Sequence, residues 1–299
     1  MKVKIDTEDF ENKGDKHFSI KKTPTKIKCF YDHDDHYNDL MTQFREEMDN
    51  LQSMMYAHNK YGLLIIFQAM DAAGKDGTIK HVLSGVNPSG VNVISFKKPS
   101  VVELKHDYLW RTNFALPQRG TITIFNRSYY EEVLVVKVHP ELLEKSELMP
   151  DDLIKDQEKV FVQRYSDICN HEKYLTHNGF VILKFFLNVS KEEQGGRLIE
   201  RIEDKSKNWK FEEQDINERG YWKDYMKAYE DCINETSSKH APWYIIPADD
   251  KKNMRLIVSK IIISKIKDLD ICYPITDENR QKELLNFIDV IKKQDGDEK

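Results

Sequence analysis

The stretch FQAMDAAGKDGTIKHV, from Phe67 to Val82, holds the pair Gly74-Lys75 with a second glycine at Gly77 and acids at Asp71 and Asp76. Glycines let successive backbone N–H groups turn toward one anion, and a lysine adds a mobile positive charge, so the grouping suits phosphate. The spacing approaches the phosphate-loop pattern G-x-x-x-x-G-K-[ST], with Ala69 at the first glycine and Asp76 at the hydroxyl that normally holds magnesium. An acid beside phosphate makes sense when a cation lies between them, which makes Asp71 a metal-ligand candidate. Ala72, Ala73, Gly74, Asp76, Gly77 and Thr78 are expected to contact the same anion. The plainer alternative is a strand-to-helix turn with a capping acid.

A second polar group, Asn126-Arg127-Ser128, follows the apolar run Thr121–Phe125, with Glu131 and Glu132 one helical turn later. Polar residues at the carboxyl end of a parallel strand lie at the ligand edge of such a sheet. Arg127 and Ser128 suit phosphate; Asn126 and Glu131 are further metal-ligand candidates. An Asx-type cap followed by two solvated glutamates is the competing reading. Third, Arg197, Arg201 and Lys205 recur every four residues, so one helix face could close on phosphate as a lid, or simply be a solvated face stitched by Glu200 and Glu203. Lys80, His81, Arg127, Lys137 and His139 could together line a channel for a long polyanion. Lys210 joins the phosphate-contacting candidates, whereas Trp209, Trp222, Tyr225 and Trp243 read as packing residues, with stacking of an aromatic at the cleft edge on a base as the alternative. His33-Asp34-Asp35-His36 and Asp249-Asp250 read as helix caps, not metal sites.

Apolar runs at Leu63–Phe67, Val91–Phe96, Thr121–Phe125, Phe180–Leu187 and Trp243–Ile246 must carry these groups. Helical stretches are expected near 37–58, 100–114, 127–136, 151–177, 191–204, 216–234 and 251–267, and the alternation predicts a parallel α/β sandwich. The first 28 residues, rich in Lys and Asp, read as an extended arm outside the core, and the segment past Asp277 ends in charged residues expected to fray. The chain has 299 residues, room for one large domain or two small ones. A net charge of -5 excludes a dedicated nucleic-acid coat, so an anion site must be a local concentration of cations. The four cysteines form no C-x-x-C pair, and no run is long and apolar enough to span a membrane, so a cytoplasmic protein with reduced thiols is expected.

Taken in order, MDAAGKDGTIKHV, FNRSYYEEVLVVKVHP, NWKF and APWYIIPADDK resemble the polyphosphate kinase 2 family, from about Leu63 to Met254. The resemblance is nearest to the subgroup acting on both AMP and ADP. It implies a P-loop kinase-like three-layer α/β/α sandwich with a central parallel sheet: an N-terminal extension over 1–36, one domain over 37–270 with a helical lid at about 190–212, and a C-terminal tail or helix over 271–299. Asp71, Gly74 and Lys75 then match the Walker A elements, and Asn126, Arg127 and Ser128 the Walker B-like block. Many members have Asp where Asn126 stands, and the subgroup with Asn carries a glutamate matching Glu131. The implied activity moves phosphoryl groups reversibly between inorganic polyphosphate and AMP, ADP or ATP, with guanine nucleotides as further candidates and Mg²⁺ or Mn²⁺ as cofactor. Asp71, Lys75, Arg127, Glu131, Arg197 and Arg201 would be its catalytic residues, and the protein a homodimer or homotetramer that binds neither nucleic acid nor membrane. An ATP-dependent nucleotide kinase and a non-catalytic polyphosphate or nucleotide sensor are the alternatives.

Overall fold

The computed structural model describes residues 4–144 and 149–297. The α-helices of two turns or more are numbered α1 to α8 in chain order. The amphipathic stretch after His33 forms α1 (Asp34–His58), begun by the His33 ring, which accepts from the His36 backbone N–H. The apolar run beyond it is β2 (Gly62–Gln68), all seven residues buried; β1 (Glu11–Asn12) precedes both. The chain then forms α2 (Lys75–Val82), β3 (Val91–Ser95) and β4 (Ile122–Asn126). Next come α3 (Gln157–His177), β5 (Phe180–Asn188), α4 (Lys191–Glu203), α5 (Glu213–Gly220) and α6 (Trp222–Thr236). The last elements are β6 (Trp243–Pro247), α7 (Lys251–Lys267), capped by Asp250, and α8 (Glu278–Asp297).

The six strands form one sheet in the order β1-β6-β5-β2-β4-β3, parallel except where β1 meets β6. A strand such as β2, buried on both faces, needs helices on each side. Helices α1, α2 and α7 pack together, and α3 packs on α6, giving the expected three-layer sandwich. Register places Phe67 of β2 beside Asn126 of β4 and Phe185 of β5. The chain therefore leaves β2 and β4 at the same level, and the loops after them meet.

Four expectations need correction. The N-terminal stretch is not outside the core: Ile5, Phe10 and Phe18 are buried in it, and Phe18 meets Phe186 edge-on with ring centroids 6.4 Å apart. The stretch 100–114 forms two short helices, Val101–Leu104 and Trp110–Asn113, and 127–136 begins as a tight 3₁₀ turn at Tyr129–Val133. The segment past Asp277 forms the 20-residue helix α8, one of the two forms expected for it, and its last two residues lie outside the described ones. Trp209 is 73% exposed, so it does not pack, whereas Trp243 and Tyr225 are buried as expected.

Candidate active site

The loop between β2 and α2 is shaped by two left-handed residues, Ala72 at φ 59° and Gly74 at φ 108°. Gly74 is needed there for its φ, while a Cβ would lie 3.1 Å from Met254 Cε, which would have to give by a few tenths of an ångström. Ala69, at the position of the pattern's first glycine, has an ordinary negative φ, so its methyl group is tolerated. Lys75 is buried and its ammonium bridges the loop, donating to Ala69 O at 2.6 Å and Met70 O at 3.2 Å. It also lies 4.0 Å from the Asp71 carboxylate.

The loop after β4 reaches the same place. Arg127 leaves the strand with φ 63°, a costly conformation for a non-glycine residue. Its guanidinium donates to Asp71 Oδ1 at 2.5 Å and stands 3.6 Å from Glu131 Oε2. Asp71, Lys75, Arg127 and Glu131, taken from two loops, are thus one cluster. With its amide turned to satisfy both ends, buried Gln68 donates to Glu131 Oε1 at 2.8 Å and accepts from Ser128 N at 3.1 Å. Ser128 in turn caps the turn that presents Glu131, accepting from Tyr130 N at 3.2 Å. Glu132 faces away and pairs with Arg164 at 3.0 Å.

Burial drives each charge of the cluster toward its neutral form, and the neighbours resist it unequally. Burial pushes Asp71 up, but Lys75 and Arg127 more than offset this and hold its carboxyl below the ordinary value. For Glu131 burial prevails over Arg127 and Lys75, so its carboxyl is raised. Burial likewise lowers the Lys75 ammonium against the pull of Asp71. Arg127, between Glu131 and Asp71, is raised despite its burial.

Asn126 points elsewhere, donating to Asp76 Oδ1 at 2.7 Å and Ser95 Oγ at 3.3 Å, while its buried Oδ1 has no partner among the described residues. Asp71, Asn126 and Glu131 therefore do not close around one point. Among the described residues no group of three His, Cys, Asp or Glu side chains is arranged to hold a metal. The hard oxygens of Asp71 and Glu131 do fit a magnesium ion that draws its other ligands from phosphate and water, the usual arrangement for that ion.

The lid residues divide. Arg197 is buried and all its nitrogens are engaged: Nε with Glu193 at 2.7 Å, Nη1 with Ala73 O at 2.6 Å and Nη2 with Ala248 O at 2.6 Å. It clasps the phosphate loop to the end of β6, so it does not share an open basic face with Arg201 and Lys205. Arg201 binds Asp215 of α5 at 3.0 Å. Lys205 lies beyond the end of α4 and is exposed, and Lys210 stacks its ammonium 5.2 Å from the Trp209 ring. Beside Arg197, the Gln194 amide donates to Asp71 O at 3.0 Å and accepts from Arg219 at 2.6 Å, so the root of the lid is tied to the loop.

The expected polyanion channel is also divided. Lys80 and His81 lie on α2 beside the loop. Lys137 is instead held by Asp231 at 2.9 Å and Tyr165 at 3.1 Å, and His139 by Glu218 at 2.9 Å. Acid partners far along the chain, invisible to local spacing, claim both side chains. Gln68, Gln194 and Arg219 do not stand out in the sequence. Gln68 carries one signal, a polar residue closing an otherwise apolar strand.

The arrangement, a backbone cradle with a buried lysine, two carboxylates and an arginine between them, suits the handling of phosphate and a divalent cation. Comparison with known proteins agrees. A sequence model of the family described as polyphosphate kinase 2 (PPK2) matches residues 31–273. The chain is 51% identical over 286 residues, 95% of this chain and 98% of the relative, to the ADP-polyphosphate phosphotransferase of Rhodopseudomonas palustris. It is 44% identical to the AMP/ADP-polyphosphate phosphotransferase of Meiothermus ruber over 227 residues, 76% of this chain and 80% of the relative. The crystal structure of polyphosphate kinase 2 from Arthrobacter aurescens superimposes with a TM-score of 0.82 at 32% identity, covering 95% of this chain and 97% of that one. With the fold, the two loops and the matched sequence in agreement over most of its length, the chain belongs to the polyphosphate kinase 2 family.

Proposed function

We propose that this protein transfers phosphoryl groups between inorganic polyphosphate and adenine nucleotides, accepting AMP and ADP. The carrying observation is the meeting of the Asp71 and Lys75 loop with Arg127 and Glu131 at one strand edge. The names of the relatives, ADP- and AMP/ADP-polyphosphate phosphotransferase, support the substrates. A nucleotide's terminal phosphate is already largely ionised near neutral pH, its second pKa being about 6, so no strong base is required. What is required is to bring two polyanions into line and to neutralise the charge that passes between them. Lys75 and the loop N–H groups hold the donor phosphate, and Arg127 meets developing charge once phosphate or a cation draws it from Asp71. Asp71 and Glu131 would hold Mg²⁺, for which Mn²⁺ is the natural substitute, and the ion would supply neutralisation of phosphate charge. Arg201, Lys205 and Lys210 approach from the lid, whereas Arg197 positions the loop without touching substrate.

Transfer to AMP and ADP with polyphosphate as sole donor, in the presence of Mg²⁺, tests the reading. Product formation is expected, with kcat falling about 10²- to 10³-fold in Lys75→Met while the folded structure is retained. Product from ATP but not from polyphosphate would instead establish an ATP-dependent nucleotide kinase. Tight binding of either compound with no turnover would establish a sensor.

A further inference from the structure

Two rungs of side chains join α5 to α4 beside the phosphate loop. In the first, Arg219 of α5 donates from Nη1 to Lys191 O at 2.7 Å and to Gln194 Oε1 at 2.6 Å. Gly195 admits it, since a Cβ there would lie 3.1 Å from Arg219 Nη2. In the second, Asp215, four residues before Arg219 and so on the same face of α5, accepts from Arg201 Nη1 at 3.0 Å.

On α4, Gln194, Arg197 and Arg201 recur at spacings of three and four, which puts them on one side of the helix. The first two touch the loop directly, Gln194 at Asp71 O and Arg197 at Ala73 O. Arg201 is the next group of that row, one turn or roughly 6 Å further along the axis, and its charge is felt by the Asp71 carboxylate. The two arginines are held differently. Arg197 has all its nitrogens engaged by the protein, whereas among the described residues Arg201 has the single partner Asp215 on one nitrogen. Its remaining N–H groups stay free for an anion. Asp215 is the costly member of the pair: its side chain is 12% exposed, and burial and the charge of Asp71 raise its carboxyl against the pull of Arg201. A neutral acceptor braces two helices without that cost, as Gln194 does for Arg219.

We propose that Asp215 is a positioning residue, whose carboxylate grips one edge of the Arg201 guanidinium and turns the free edge toward the phosphate seated on the loop. The inference rests on the polyphosphate reading above and adds an acid to its machinery. A guanidinium is planar, so a charge-assisted bond to one N–H restricts where the others point. An arginine already oriented meets developing charge without first having to be ordered. The acid itself repels a polyanion, so it serves turnover and does nothing for binding.

The test measures kcat, KM for polyphosphate and melting temperature in wild type, Asp215→Asn, Arg201→Met and the double variant. Asp215→Asn keeps the shape and an acceptor oxygen but loses the charge. Its kcat should fall about tenfold, while its KM for polyphosphate stays equal to or below that of wild type and its melting temperature does not fall, because a buried negative charge has left the site. Asp215→Ser, a second neutral acceptor, repeats the comparison without the amide. Arg201→Met should lower kcat about 10²-fold, and the double variant should be no slower than Arg201→Met alone, since Asp215 acts only through that side chain. Losses that multiply in the double variant overturn the proposal. A raised KM with unchanged kcat also overturns it, and makes Asp215 a contact of the substrate or its metal. Wild-type kcat per folded molecule in either neutral variant, with or without a lower melting temperature, leaves the pair as a brace between helices and the proposed function standing. No transfer from polyphosphate by wild type removes the parent reading and the positioning role with it.

Discussion

Asp71 is where the opposing forces on the charged cluster can be read in the simplest experiment. Its carboxyl is held below the ordinary value of 3.8 by Lys75 and Arg127 against burial. A group whose folded value is depressed contributes stability above its unfolded value, and that contribution is lost as pH falls through the folded one. In chelator-treated protein, wild type should therefore lose stability on acidification below about pH 4 more steeply than Asp71→Asn, followed by urea unfolding across pH. Equal slopes would show that the Asp71–Arg127 pair contributes nothing to stability. The residue types of this cluster are legible without the fold, because Gly74, Lys75, Arg127 and Glu131 each follow an apolar strand. Which acid each cation meets is not. Lys137 lies 94 residues from Asp231 and His139 lies 79 from Glu218, and no local spacing encodes such pairs.

Between elements, the decisive contact is the Arg197 clasp from α4 to the phosphate loop and β6. Helical spacing places Arg197 with Arg201, but spacing cannot say that backbone carbonyls of Ala73 and Ala248 will take its donors. Removing it leaves those carbonyls buried and unpaired, so Arg197→Met should cost about 2–4 kcal/mol in chemical denaturation. Arg197→Lys should recover little, since an ammonium cannot reach carbonyls on both sides in a planar fork. A variant as stable as wild type but unable to bind phosphate would return Arg197 to the lid. The lysine of the loop and the clasp thus act on the same backbone from opposite sides: Lys75 draws in Ala69 and Met70, and Arg197 draws in Ala73. Arg219 and Gln194 extend this tie to α5, so the positions of α4 and α5 and the shape of the loop are mechanically joined.

Across the whole molecule, the sheet is pinned by a fully buried ion pair: Lys184 of β5 donates to Glu172 of α3 at 2.7 Å and to Thr236 O at 2.7 Å. Glu172 also accepts from the Tyr129 and Tyr130 hydroxyls at 2.9 and 2.7 Å, which fixes the turn that carries Glu131. Lys184→Met should cost about 3–5 kcal/mol by leaving Glu172 buried and unpaired, and adding Glu172→Gln should restore part of it. Additive losses in the double variant would show the two residues to be uncoupled. The parallel sheet is legible as five apolar runs, yet Lys184 sits inconspicuously inside one, since a strand pattern does not reveal which face meets an acid. The N-terminal segment defeats a reading by pattern because Ile5, Phe10 and Phe18 are isolated apolar residues in a charged stretch and follow no helical or strand period.

That segment does more than fill the core. Its two-residue strand β1 runs antiparallel along β6, with Glu11 opposite Tyr244 and Asn12 opposite Trp243, and so occupies the outermost row of hydrogen-bonding groups on that side of the sheet. An uncovered row of this kind is a template on which another chain can add. A chain lacking the first 22 residues should therefore fail first by self-association, its light scattering rising with protein concentration well below the temperature at which the full-length protein melts. The short antiparallel strand is in this sense a colloidal safeguard, keeping a kinase built on a broad run of parallel strands from adding strand to strand in a crowded solution.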